Sequence, residues 1–474
     1  MVSVIKAQHA KLTPSRLQQL RANLGRLHRH TGGKLLLATG CSGTDLIFKV
    51  VADLVSIWCS FFGLVFEVVH LFSCDHGPLQ QEFIKAHWEP QALFNSLEEV
   101  GSSSMAFDVL SGELKPVPSA FLWATGIECD TLSGLNRSRR VGDSVIEKGE
   151  GKTGTSATYC MRYVETRRPP VLLFECVKNL GSSSKAGPST VGKQSDLDFL
   201  IELANKSGYI MLPASIQATD YGFPSSRPRF YVLGVLCRGS DETFSQLPQA
   251  IPDQLPPAVS EFDFPFWWHD MQNCLEDLKC DPLPVSRFFL PLGDIRRLKS
   301  CKFPQFGSID KPRSGRTHKG DVQWETDHLT KYQEAKLPWP PTFSVPFASK
   351  TSHLSERPAQ IVHYHEQILL ESLVPPPASP CLDINFNINW GSMQYGATPC
   401  LVGSSKVWWF TRSLSSDDVP VGYGGLELAA EEALGLQGFS ICSQNAAFMD
   451  EHTPQEPARV LLAAVDFRLG RSMF

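Results

Sequence analysis

Residues 36–45 read LLATGCSGTD: an apolar run, then Gly40 and Gly43 three apart, then a polar pair ahead of the next apolar stretch. This is the pattern of a buried strand, a glycine-bearing turn and a helix start. Glycines at such a joint let a bound molecule approach the backbone closely. By itself the joint is common structural punctuation. The next apolar run ends at Asp75, where α/β folds that bind nucleosides often carry an acceptor for ribose hydroxyls. The plainer reading is a surface acid in the turn made by His76, Gly77 and Pro78.

Outward from that joint the pattern alternates. Apolar runs at 35–38, 64–72, 121–124, 171–175 and 230–236 predict strands. Amphipathic stretches at 44–60, 78–87, 156–167 and 195–206 predict helices. Buried strands alternating with helices imply a largely parallel α/β sheet with its ligand crevice at the carboxyl ends of the strands. Beyond Leu236 the periodicity fails, and proline clusters at 252–257, 338–341 and 375–380 mark turns and linkers. Order returns near the end, with strands expected at 399–410 and 456–467 and a helix at 426–436.

The 474 residues are 42% hydrophobic and 20% charged, enough apolar material for a sizeable core. The net charge of −5 excludes a uniformly basic nucleic-acid coat. Two segments run against it. No acid precedes Asp45, while seven Lys and Arg do, and Leu17, Leu20, Leu24 and Leu27 recur at helical spacing after Thr13-Pro14. This predicts a surface helix, with a phosphate-binding arm or an organelle-targeting segment as alternatives. Residues 285–320 carry nine Lys and Arg against two Asp, which suits either a solvated loop or a polyanion. The 13 cysteines form no CxxC pair, so neither a disulfide framework nor a metal site is expected. The longest uncharged apolar stretch, 54–66, is 13 residues, too short to span a bilayer.

Three further stretches carry chemical potential. In ATGIECDTLSGLNRSRR (124–140), Cys129 follows a strand end and precedes Arg137, Arg139 and Arg140. A cysteine so placed can act as a nucleophile, although most single cysteines are small buried hydrophobes. In VLLFECVKNL (171–180), Glu175 sits at the carboxyl end of a buried strand, suited to proton donation or to pairing with Lys178. In DYGFPSSRPRFYVLGV (220–235), Arg227 and Arg229 are two apart, so strand alternation puts both on one face.

Taken in order, these stretches resemble the cytosine-C5 methyltransferases that use S-adenosylmethionine. ATGCSG resembles the family's F-x-G-x-G turn, and TGIECDTLSGLN its G-F-P-C-q-x-x-S-x-x-N nucleophile loop. FECVKNL resembles the E-N-V strand, and DYGFPSSRPRFYVLG the D-x-G-x-P-Q-x-R-x-R segment. TPCLVGSSKVWWFTR (398–412) and AAEEALGLQGF (429–439) resemble the segment after the family's recognition domain, where E-x-x-x-L-Q-G-F recurs. SQNAA (443–447) resembles the late segment that completes the cofactor site.

The resemblance implies a Rossmann-like S-adenosylmethionine-dependent methyltransferase sheet with a second, smaller, irregular target recognition domain. It divides the chain into a basic arm (1–34), a catalytic α/β domain (35–240), a recognition domain (241–394) and a return segment (395–474). It implies catalysis by Cys129, Glu175, Arg227 and Arg229. Thr39, Gly40, Cys41, Gly43, Asp75, Ser96 and Asn445 would hold the cofactor. Ser133, Arg137, Arg296, Arg297, Lys299 and Lys302 would contact DNA, whose target cytosine must be flipped from the stack. No metal and no membrane partner are expected. The implied location is the nucleus in a eukaryote and the cytoplasm otherwise, with organelle targeting by the basic N-terminus an alternative. Four positions depart from the family: Glu128 replaces a proline, Cys176 the asparagine of E-N-V, and Ser225 a glutamine, and the adenine-loop acid is replaced near Asn95 and Ser96. A catalytically silent DNA-binding relative and a tRNA-directed enzyme are the alternatives, and the C-F-T tripeptide of the tRNA-directed branch does not occur.

Overall fold

The structure, a computed structural model, describes residues 12–41, 43–129, 131–132, 144–181, 194–236, 278–283, 323–339, 356–372, 380–385, 393–400, 405–414 and 420–428, with a few further positions up to 436. These fall into two compact units. The first runs to Gln217 and resumes at Pro228; the second takes Ala218–Arg227 and resumes at Cys280.

Helix α1 (Pro14–Thr31) opens the first unit. Thr13 caps it, Pro14 occupies its first turn, and Gly32 ends it at φ 60°. None of its residues is fully buried. Strand β1 (Lys34–Gly40) then leads through the glycine turn into α2 (Leu46–Phe62) and β2 (Glu67–Cys74). Helix α3 (Pro78–His87), β3 (Leu93–Phe94) and α4 (Leu97–Ser102) follow. Next come β4 (Met105–Asp108), β5 (Glu113–Pro116) and β6 (Leu122–Gly126). Helices α5 (Val145–Lys148) and α6 (Gly151–Arg167) lead to β7 (Val171–Val177). Helix α7 (Asp196–Lys206), started by a Ser195–Asp198 capping box, precedes β8 (Tyr209–Gln217) and β9 (Pro228–Leu236).

The nine strands lie in the order β5-β4-β3-β2-β1-β6-β7-β9-β8. The chain winds outward from β1 through β2 to β3, then crosses back to β6 and β7, so the order reverses between β1 and β6. That switch point opens a crevice at the carboxyl ends of the strands. Parallel pairing is confined to the centre, across β3-β2-β1-β6-β7. Both flanks are antiparallel, which narrows the expectation of a largely parallel sheet. The short β4–β5 and β8–β9 connections leave no room for the dozen or so residues of a parallel crossover. Pro213 sits within β8, where an edge strand tolerates its missing N–H.

Around the switch point the core is aromatic. Trp123 packs on Tyr163 and Phe72 with ring centroids 4.5 and 5.7 Å apart, and Phe94 lies 5.2 Å from Phe72. All four are fully buried, each contributing about 1.5–3 kcal/mol through lost apolar exposure.

The second unit holds α8 (Gln323–Glu334), α9 (Glu356–Glu371) and an antiparallel sheet of β10 (Pro380–Asp383), β11 (Gln394–Tyr395), β12 (Val407–Leu414) and β13 (Pro420–Glu427) in the order β11-β10-β12-β13. Its core gathers Tyr332, Ile361, Val362, Leu382, Trp408 and Phe410. The division expected at 394/395 cuts through this sheet, because Leu382 of β10 pairs with Trp408 of β12. The helix expected over 426–436 also begins too early: Leu426 and Glu427 still belong to β13, while Glu432 and Leu436 are helical. The strand expected at 456–467 lies outside the described residues.

Candidate active site

The turn after β1 is held in a conformation that side chains rarely adopt. Cys41, Gly43 and Asp45 have φ of 48°, 66° and 51°. The Cys41 N–H donates to the Cys74 carbonyl at 2.8 Å, stitching the turn to the end of β2. Asp75 follows directly, and its Oδ2 accepts from the Gly43 N–H while Oδ1 accepts from the Gly77 N–H, both at 3.0 Å. Burial pushes the Asp75 carboxyl up to about 6, partly offset by those two backbone donors.

At Gly40 the missing side chain also serves the core. A Cβ there would lie 2.6 Å from the buried Trp123 ring and 3.1 Å from Thr125 Oγ1, so the missing side chain makes room for the core. Ser96 caps α4 by accepting from the Glu99 N–H at 3.2 Å. Beside it, the Asn95 Oδ1 accepts from Gln81 Nε2, which also donates to the Asp75 carbonyl. The Asn95–Ser96 loop is thereby tied to the acid at the end of β2.

A nucleoside-bearing cofactor fits this set. Each Asp75 oxygen accepts one backbone N–H and keeps a further lone pair for a hydroxyl donor. The buried Thr44 hydroxyl at the turn has no hydrogen-bond partner among the described residues.

On the other side of the switch point, β6 ends at Gly126, whose register partner on β7 is Glu175. The Ile127 N–H donates to the Glu175 carbonyl at 3.0 Å, so Cys129 emerges two residues beyond that contact. Cys129 is half-buried, whereas Cys74, Cys160 and Cys176 are fully buried. Burial pushes the Cys160 thiol up to about 12 and the Cys74 and Cys176 thiols well above their usual range. Those thiols stay protonated and inert. Asn179 Nδ2 donates to the Leu132 carbonyl at 3.0 Å, anchoring the loop that carries Cys129 to the segment after β7. The Glu128 N–H donates to Ser156 Oγ at 3.1 Å, and its carboxylate lies 3.9 Å from His76 Nδ1.

Glu175 is buried at the centre of this side. Its Oε1 lies 2.9 Å from Arg229 Nε, and Arg229 Nη1 also donates to the Pro228 carbonyl at 2.9 Å. Arg227 has a partner within the second unit. It lies one residue before β9 begins, in the second unit, where its Nη1 donates to Cys400 Sγ at 3.3 Å. Strand alternation does not extend across Pro228 to Arg227. The nearby backbone is pinned by Thr398, which bonds to the carbonyl of Pro224 and to the N–H of Ser226.

The structure therefore brings Cys129 and Arg229 to the ends of strands beside Glu175, and Thr39, Gly40, Cys41 and Gly43 to a turn beside Asp75. Ser133, Arg137, Arg296, Arg297, Lys299, Lys302 and Asn445 lie outside the described residues. Sequence reading missed Asp45, His70, Ser73 and Asn179. Asn179 follows Glu175 closely enough to be noticed; the other three meet only through the fold.

Residues 144–277 match the family described as C-5 cytosine-specific DNA methylase. That span contains Glu175, Arg227 and Arg229 and leaves the glycine turn and Cys129 outside it. The chain is 24% identical over 237 residues to the DNA (cytosine-5-)-methyltransferase DMT5 of Cryptococcus neoformans, a match covering 49% of this chain and 9% of that much longer protein. Among solved structures it is similar to the S. pombe Dnmt2 methyltransferase, with TM-score 0.41 and 10% identity, covering 93% of this chain and 96% of that one. It is similar also to the Entamoeba histolytica methyltransferase EhMeth, with TM-score 0.44 and 11% identity, covering 93% and 98%. The sheet is Rossmann-like in its central parallel strands and in the reversal of strand order between β1 and β6. The match to the C-5 cytosine-specific DNA methylase family is confined to residues 144–277, and the chain spans 9% of the length of the curated relative it matches.

Proposed function

We propose that this chain is an S-adenosylmethionine-dependent DNA (cytosine-5-)-methyltransferase that acts through a covalent adduct on Cys129. The observation that carries the reading is the buried Glu175–Arg229 pair at the strand ends from which the Cys129 loop emerges. The half-buried Cys129 thiol can be reached by a substrate while its fully buried neighbours cannot. The base must leave the stack, because its C6 is inaccessible in a duplex. Cys129 Sγ adds to C6, the C5–C6 double bond opens, and its electron pair becomes available at C5. Glu175, positioned by Arg229, would carry the proton shared with N3 as negative charge develops on the ring, and so would stabilise that addition. S-adenosylmethionine, when bound, would supply the electrophilic methyl group to C5 and leave as S-adenosylhomocysteine. C5 then loses its proton to a base and the S–C6 bond breaks, restoring the ring and the thiolate.

Asp75 would take ribose hydroxyls, and Thr39, Cys41, Gly43 and Ser96 would shape the rest of the cofactor site with Asn445. Arg227 would orient backbone near the base. The second unit would carry target recognition, with Arg296, Arg297, Lys299 and Lys302 on phosphates and Ser133 and Arg137 on the DNA beside the flipped base. The site of action would be nuclear DNA in a eukaryotic source and cytoplasmic DNA otherwise. No described helix is long and apolar enough to cross a membrane.

The test is tritium transfer from labelled S-adenosylmethionine to duplex DNA and to tRNA in parallel, with 5-fluorocytosine DNA as an adduct trap. Transfer to DNA and a denaturant-stable adduct lost in Cys129→Ser support the reading. Transfer to tRNA alone replaces the substrate, and binding without transfer to either replaces the enzyme by a silent relative.

A further inference from the structure

Asp45 is completely buried and stands immediately before α2, at φ 51°, yet its side chain makes no capping bond to that helix. It turns instead toward the sheet. Thr39 Oγ1 donates to its Oδ1 at 2.6 Å, and Ser73 Oγ donates to its Oδ2. His70 Nε2 lies 3.3 Å from Oδ2 and 2.8 Å from Ser73 Oγ. The His70 ring is buried, stacks on Phe48 at 4.1 Å, and its Nδ1 has no hydrogen-bond partner among the described residues. A proton on Nε2 rather than Nδ1 satisfies the set: His70 donates to Ser73, Ser73 to Asp45, and Thr39 to the other oxygen.

Thr39 and Ser73 are register partners on β1 and β2, so the carboxylate clamps the ends of both strands. The clamped residue closes the turn that contains Cys41 and Gly43, both left-handed. A non-glycine residue at φ 51° persists only where its surroundings over-determine it, and the Thr39 and Ser73 hydroxyls, with His70 behind Ser73, do so. The turn in turn presents the Gly43 N–H to Asp75 Oδ2.

We infer that Asp45, fixed by Thr39, Ser73 and His70, is a positioning residue for the cofactor: it sets the glycine turn that orients Asp75. This rests on the proposed cofactor reading. Asp45 does not touch the cofactor and takes no part in the chemistry at Cys129.

The experiment is calorimetric titration of S-adenosylhomocysteine into wild type and Asp45→Asn, with steady-state kinetics on DNA. Asp45→Asn keeps the shape and one acceptor oxygen but sets an NH2 group against Ser73 or Thr39. The expected result is at least tenfold weaker binding and a matching rise in KM for S-adenosylmethionine, with kcat at saturating cofactor and KM for DNA within threefold. A folded variant that binds within twofold of wild type overturns the inference. So does a variant whose kcat falls as far as its affinity, since that pattern marks general damage. If Asp45→Asn does not fold, Thr39→Val removes a single donor and must weaken binding at least threefold; unchanged binding overturns the inference as well. A wild type that binds no S-adenosylhomocysteine defeats the cofactor reading itself, a result distinct from both.

Discussion

Glu175 and Arg229 form a buried ion pair across neighbouring antiparallel strands, with Oε1 2.9 Å from Nε and their side chains 2% and 9% exposed. Removing one partner strands a charge in the interior, at a cost of about 3–5 kcal/mol, whereas replacing both is far milder. Arg229→Ala is therefore expected to lower stability by about 3–5 kcal/mol in denaturant titration. The double variant Glu175→Gln/Arg229→Met should be more stable than Arg229→Ala while equally unable to transfer methyl groups. A double variant less stable than the single one would mean that the pair is held by more than its mutual charge.

As the proposed acceptor for ribose hydroxyls, Asp75 would make cofactor binding pH-dependent. Burial raises its carboxyl from an ordinary value near 3.8 to about 6. Between pH 4 and 6 the native state thus holds a proton that the unfolded chain has released. This group's contribution to stability is present below that window and lost as pH rises through about 6. Binding runs the opposite way, because the ionised form is the better acceptor for ribose hydroxyls. S-adenosylhomocysteine affinity is expected to weaken by about tenfold per pH unit below pH 6. Asp75→Asn should be weak throughout and flat with pH. A wild-type profile flat from pH 5 to 7.5 would remove Asp75 from the site.

Gly40→Ala should damage the fold before it damages binding. The new methyl group meets the Trp123 ring at 2.6 Å, and overpacking of a tight core costs about 1–3 kcal/mol. The expected result is a lowered Tm without ligand, with S-adenosylhomocysteine affinity reduced by less than the stability loss. Full stability combined with lost binding would return Gly40 to the cofactor's approach.

Glu128 separates charge from backbone. Its carboxylate lies one residue from Cys129 and disfavours an anion there. Its N–H holds the loop to Ser156, an anchor that proline could not provide. Glu128→Gln is expected to raise the single-turnover methyl-transfer rate severalfold. Glu128→Pro, which restores the family's residue, should gain less because it deletes the Ser156 bond. Should Glu128→Gln slow transfer, the carboxylate itself works in the reaction.

The central sheet was legible because β1, β2, β6, β7 and β9 carry apolar runs, and the first four bring candidate residues at or near their carboxyl ends: Gly40, Cys74 before Asp75, Gly126 ahead of Cys129, and Glu175 two residues before the end of β7. Strands β3 to β5 escaped the same reading because they are two to four residues long, below the length at which alternation is visible. Strand β8 carries a proline that ordinarily argues against a strand, and only its edge position excuses it.

What the sequence determined by itself was local: apolar runs that must be buried, turns that need glycine, and the order of Gly40, Asp75, Cys129, Glu175 and Arg229 along the chain. That order was enough to indicate the chemistry, since each residue type carries its reactivity with it. Only the tertiary structure decided who meets whom. It paired Glu175 with Arg229 across 54 positions and set Arg227 against Cys400 across 173. It gave Gly40 to Trp123 and closed Asp45 onto Thr39, Ser73 and His70. Such contacts depend on strand order and on which side chains are left without water, and neither quantity has a periodicity that a sequence displays.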